Sequence, residues 1–289
     1  MPARTLLATL RDHSKQVAKL ETATADDFLK ALKQTEAEIV GRLYAVTDSD
    51  TAFSTFTLQR VLAEVKAAIG TLEAKASDIY GTAQQDAIDL AVQHASDELY
   101  SLSKELDSAP LDLSLDAASG MSDPAQALLA NHFESSVQRY GLDILNQVRR
   151  KVQIGMITGD PSRQVVNEVQ RAIAGTRPQA EQLVRTETSS AYGAAQHRSI
   201  TEAAKQVPGL KKMWVHQSSY KCDVCIDLDG TERPIDGTWT IKIGKKTKKV
   251  AHAPAHPRCS CRVIAIKPSW KDKLKGLGYL DSQEDQEDE

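Results

Sequence analysis

The residues best suited to chemistry lie near the C-terminus. Cys222-Asp223-Val224-Cys225 puts two thiols on one tight knuckle, and Cys259-Ser260-Cys261 brings a second pair after a stretch long enough for a hairpin. Thiolates are common structural ligands of zinc, which needs no redox chemistry and takes four donors as a tetrahedron. The spacing therefore predicts one structural zinc ion held by Cys222, Cys225, Cys259 and Cys261. Lys221, Arg258 and Arg262 stand beside the cysteines and offset the formal charge of about -2 that four thiolates leave on such a site. His256, three residues before Cys259, would permit a Cys3His set in which Cys259 or Cys261 is released, and His252 is a weaker competitor. Disulfides formed in an oxidising setting and unligated thiols are the other readings of the same residues.

A catalytic use of the same cluster has less behind it. His252 and His256 near thiols could make a Cys-His nucleophile or a metal-dependent nuclease, but four protein ligands close the zinc shell and leave no position for water or substrate. No enzymatic activity is expected. Lys242, Lys245, Lys246, Lys248 and Lys249 could touch phosphate, although a lysine-rich hairpin is also what a solvated turn or protected strand edge looks like. Glu187 falls on the helix face defined by Ala180, Leu183, Val184, Ala191, Ala194 and Ala195, where a carboxylate needs a partner; it reads as a structural acid rather than a catalytic one.

The elements that must position these groups are mostly helical. Only 5% of the 289 residues are aromatic, and the apolar mass is Ala, Leu, Val and Ile, which favours helix packing. No proline stands between Pro2 and Pro110, and Leu58, Leu62, Val65, Ile69, Leu72, Ala76, Ile79 and Ala83 form one seam on a long helix, to be packed within a bundle or against another chain. Thr24 and Asp27 resemble a helix start. Further helices are expected from about Ala125, from Pro161 to Ala174 with Asp160 as cap, and from Arg177 to about Gln206. Strands are expected over Lys211 to Gln217, Trp239 to Ile243, Lys248 to His252 and Cys261 to Ile266, with Gly244 to Thr247 turning the middle pair.

The resulting fold class is mainly α: an N-terminal helical bundle (1–107), a linker (108–124), a helical segment (125–208), a small α+β zinc-stabilised module (209–270), and a basic then acidic disordered tail (271–289). The net charge of -3 hides a segregation of sign, since removing Asp281 to Glu289 with its six acids leaves +3. No run approaches the roughly 20 apolar residues of a membrane helix, and the first residues lack the apolar core of a secretory signal, so neither membrane insertion nor signal-directed export is expected.

Arg185-Thr186-Glu187, Trp214, Cys222-x-x-Cys225, Leu228-Asp229-Gly230, His256-Pro257 and Cys259-x-Cys261, in that order, resemble the phage Mu F-like head morphogenesis proteins, minor capsid proteins of tailed phages and prophages. The resemblance runs from about Ala125 to Ile266; Ser260 replaces the basic residue usual inside the last pair, and the basic hairpin from Trp239 to His252 has no counterpart. It implies a low-copy component of the virion, at the head interior or portal vertex and in the host cytoplasm during assembly. The implied partners are the portal protein and other head proteins, with possible contact to packaged DNA; the implied roles are procapsid assembly and DNA packaging or exit. The alternative is a zinc-containing nuclease or toxin-type effector.

Overall fold

A computed structural model describes residues 3–46, 55–106, 123–216 and 222–270. Most of the expected linker, the start of the first cysteine knuckle at Lys221, the end of the expected strand at Gln217 and the whole tail lie outside them. The fold is mainly helical, as expected: α1 (Ala3–Val46), α2 (Thr55–Leu106), α3 (Asp123–Thr158), α4 (Ser162–Ala174) and α5 (Arg177–Gln206) precede a small region with strands. No helix among the described residues is long and apolar enough to cross a membrane.

The chain divides into two compact units, each assembled from separate stretches of sequence. One comprises Thr22–Ala83 and Ala127–Arg185, and the elements described in it are all helices. Its core joins Phe28, Leu32 and Ile39 of α1 to Val65, Ile69, Leu72 and Ala76 of α2, Val137, Ile144 and Val148 of α3, and Val165, Val169 and Ile173 of α4. Most of the α2 seam, Val65, Ile69, Leu72 and Ala76 with Leu58 and Ile79 beside them, thus packs inside this unit. Tyr80 stacks on Phe133 with ring centroids 4.0 Å apart, and the Tyr140 hydroxyl lies 2.7 Å from Thr176 Oγ1, at the entry to α5.

Two expected helix starts differ. Thr24 and Asp27 lie within α1, because buried positions continue at helical spacing through Val17, Ala25, Phe28 and Leu32 and no Pro or Gly interrupts them. At α4 the N-cap is Pro161, without a side-chain cap, while the carboxylate of Asp160 is taken by Thr158 Oγ1 at 2.7 Å. A Cβ on Gly155 would sit 2.2 Å from Val165 Cγ2, so only glycine lets α3 come this close to α4.

The other unit comprises Met1–Glu21, Gln84–Gln126 and Thr186–Glu289. Its three-stranded antiparallel sheet has the order β2-β1-β5, from β1 (Lys211–Val215), β2 (Glu232–Pro234) and β5 (Arg262–Ile266), with Trp214 opposite Val263 and Val215 opposite Arg262. A separate hairpin joins β3 (Trp239–Ile243) to β4 (Lys246–Val250), so the turn is shorter than expected and the return strand starts two residues earlier. Strand alternation gives the sheet two faces. Trp214, Val263 and Ala265 enter a core shared with Leu99, Ile200, Trp239 and three of the cysteines, while Met213, Ile264 and Ile266 pack with Leu10, Leu102 and Trp270. Both faces are covered, which is why β5 reads as an unbroken buried run.

Candidate metal centre

The first knuckle is the start of α6 (Asp223–Leu228), with extended Cys222 as its N-cap. The amides of Cys225 and Ile226 both donate to the Cys222 carbonyl at 2.9 Å, which folds the two thiols onto one side. The second knuckle is built on Arg258, the one non-glycine residue with positive φ (62°) among the described residues, and on a Cys259 amide that donates to the His256 carbonyl at 3.1 Å.

These turns bring five donors together. His256 Nε2 lies 3.1 Å from Cys222 Sγ and 2.9 Å from Cys225 Sγ, and Cys225 Sγ lies 3.8 Å from Cys259 Sγ. Two thiolates on one tetrahedral zinc stand about 3.8 Å apart. The donors form two triads, Cys222 with Cys225 and His256, and Cys225 with Cys259 and Cys261, each mutually within 4.8 Å and joined through Cys225. All four cysteines are free thiols.

His256 is oriented for ligation. Its Nδ1 lies 2.8 Å from the Pro257 carbonyl, which can only accept, so Nδ1 carries the proton and Nε2 turns a lone pair toward the thiols. The second pair is asymmetric. A hydrogen bond with Cys261, opposed by burial, brings the Cys259 thiol down to about 5, and the same bond pushes Cys261 up. Cys259 is therefore the readier thiolate. Burial and the neighbouring Cys259 push Cys225 up, a cost that a metal ion reverses by replacing the proton. The buried indole N–H of Trp214, with no partner in hydrogen-bond geometry among the described residues, lies beside Cys261 and would suit that sulfur as a thiolate, as in the four-cysteine set. The donor chemistry fits a thiolate-imidazole metal site.

The structure disposes of other expectations differently. His252 is outside the cluster: its Nδ1 is 2.8 Å from the Ala253 carbonyl, and its ring is 5.8 Å from that of His197. Arg262 sends Nη1 to the Tyr192 hydroxyl at 3.1 Å instead of to the thiols. Glu187 is buried on α5, as expected. The lysines of the hairpin are exposed.

Sequence reasoning missed Lys212. It is fully buried on β1, with Nζ 2.8 Å from the Ala251 carbonyl and 2.9 Å from His197 Nε2, and it stands over the Trp239 ring. Burial lowers its pKa to about 8. Its task is positional: it fastens the strand end that leads to His256. The alternation of Lys212 with Met213 and Trp214 carried no signal, because a lysine in a strand ordinarily marks the exposed face.

Long helices together with a small cysteine-histidine module are the class that these elements define. Residues 146–264, from the second half of α3 into β5, match the family described as Phage Mu protein F like protein, so the resemblance to the phage Mu F-like head morphogenesis family holds for that segment. The matched segment contains all five donors. No curated protein and no solved structure matches the chain.

Proposed function

We propose that this chain is a minor head protein that associates with the portal and other head proteins during procapsid assembly, acts in DNA packaging or exit, and uses a zinc ion as a structural clamp. The observation that carries the reading is that the family segment coincides with the convergence of the two knuckles on Cys225. In this reading zinc is held by Cys222, Cys225, Cys259 and His256. Cys261 then donates to Cys259 instead of occupying the place it has in the four-cysteine set. The contact of the second triad favours that four-cysteine set as the other arrangement. Either set fills the tetrahedron, which supports a non-enzymatic role and disfavours a nuclease or effector.

Mass spectrometry and electron microscopy of purified heads test the assembly role: the protein should be a low-copy component at the portal vertex. Its absence from heads, or metal-dependent cleavage of DNA by the purified chain, would overturn the reading. Metal analysis should find about one zinc per chain. His256→Ala should lose zinc while Cys261→Ser keeps it; the reverse result would assign the four-cysteine set.

A further inference from the structure

We propose that the pocket between α1, α5 and the start of β5 in the strand-bearing unit is a binding site for a small phosphate-bearing ligand, with Arg262 as its anchor. The pocket encloses about 290 Å³ and is lined by Arg262, Tyr192, Ser189, Ser260, Ser14 and Lys15, among others. That volume is at the lower end of small-molecule sites, near ~300 Å³.

Arg262 is 5% exposed, yet no carboxylate among the described residues lies within ion-pair distance of it. It makes one hydrogen bond, to Tyr192, and its guanidinium stands 5.1 Å from the centre of that ring. A guanidinium carries five N–H donors, and those that Tyr192 leaves unused are not sealed in the core but open to the pocket that Arg262 lines. Of the acids nearby, Glu98 is engaged by His13 and Gln196, while Glu21 stands at the pocket wall and brings one negative charge to it.

The hydrogen bonds behind the pocket keep His94 and Tyr192 uncharged, so the charge of its lining is that of Arg262 and Lys15 against Glu21, a net positive one. His94 Nε2 lies 3.2 Å from the Gln16 side-chain oxygen, which accepts its proton; Nδ1 then accepts from the Tyr192 hydroxyl at 2.9 Å. Tyr192 thus spends its proton on His94 and its lone pair on Arg262. His94 is held neutral, its pKa brought down to about 3 by burial, by His13 and by Arg262. The donors left for a ligand are the Arg262 fork, the hydroxyls of Ser189 and Ser260, and Lys15 at the exposed edge. They come from three separate segments of the chain; the Arg262 fork suits an oxyanion, and a phosphate offers the remaining donors more acceptor oxygens than a carboxylate does.

Isothermal titration of the full-length, zinc-loaded protein with inorganic phosphate tests this, with zinc content measured in parallel so that loss of metal is told apart from loss of anion. Saturable binding of about one phosphate per chain is expected, weakened about tenfold by Arg262→Lys, where the fork is lost but the charge kept. Ser260→Ala, at an exposed position that does not threaten folding, should weaken it severalfold. Thymidine 5′-phosphate binding more tightly than phosphate would assign a phosphomonoester, and equal binding would assign the free ion. Absence of saturation, equal binding of acetate, or unchanged affinity in Ser260→Ala would overturn the proposal.

Discussion

Gly193→Ala should destabilise the strand-bearing unit although it replaces the poorest non-proline helix former with the best. In an open helix position the exchange gains about 1 kcal/mol. Here an added Cβ would stand 1.8 Å from the Ala253 carbonyl oxygen and 3.2 Å from His252 Nδ1. Ordinary contact begins near ~3.3 Å, so the loop would have to retreat by about 1.5 Å. It cannot do so freely, because the Ala251 carbonyl is tied to Lys212 and the chain runs on to His256. Overpacking costs about 1–3 kcal/mol, and an obstacle made of backbone puts this case at the upper end. The net expectation is a loss of about 1–2 kcal/mol, or roughly 3–8 °C in melting temperature. Tryptophan emission isolates the effect, since Trp214, Trp239 and Trp270 are the only tryptophans and all are buried in this unit. Zinc should also be lost to a chelator sooner. Gly81→Ala, in α2 with nothing within 4 Å of the added methyl, is the control and should stabilise its helix. A Gly193→Ala protein melting at or above the wild-type temperature, with unchanged zinc retention, would refute the close approach of α5 to this loop.

Zinc removal by a chelator, or Cys222→Ser or Cys225→Ser, should collapse the tryptophan-reported transition while leaving most far-ultraviolet helix signal intact. His94 and His197 have pKa values lowered to about 3 and about 4, each chiefly by burial, so the unfolded chain binds more protons below pH 6.5; stability of the strand-bearing unit should fall between about pH 6.5 and 4. Lys212 gives the opposite window: its folded pKa of about 8 lies below the ordinary 10.5, so its contribution grows as pH rises between those values, and Lys212→Met should flatten that rise in denaturant titrations. Replacing Lys242, Lys245, Lys246, Lys248 and Lys249 with Gln should weaken DNA binding in filter assays and reduce its salt dependence if the exposed hairpin touches phosphate.

Much of the fold was legible because it rests on local signals. The boundaries of α5 follow from Arg177-Pro178 and Pro208-Gly209, and β3 from its apolar alternation. The continuity of α1 was not, because Thr24 is as good a cap as it is a tolerated interior residue, and burial on either side decides between them. The thiols announced themselves by spacing, whereas the orientation of His256 depends on a carbonyl contact to Pro257 that no spacing encodes. Arg262 was visible only as a charge beside a cysteine. Its direction depends on which face of β5 it takes, and one residue of register separates the two answers.

The packing of Leu10 and Leu102 with Ile266 and Trp270 has a consequence for synthesis. A ribosome delivers the first of these partners some two hundred and sixty residues before the last. The helical unit, ending at Arg185, can close while translation continues; the strand-bearing unit must wait, with its N-terminal share already made and its apolar face uncovered. Translation arrested just before Val263 would leave the metal donors in place but no β5 to complete the sheet. During synthesis the helical unit can therefore close first, and Leu10 and Leu102 wait for the arrival of Ile266 and Trp270.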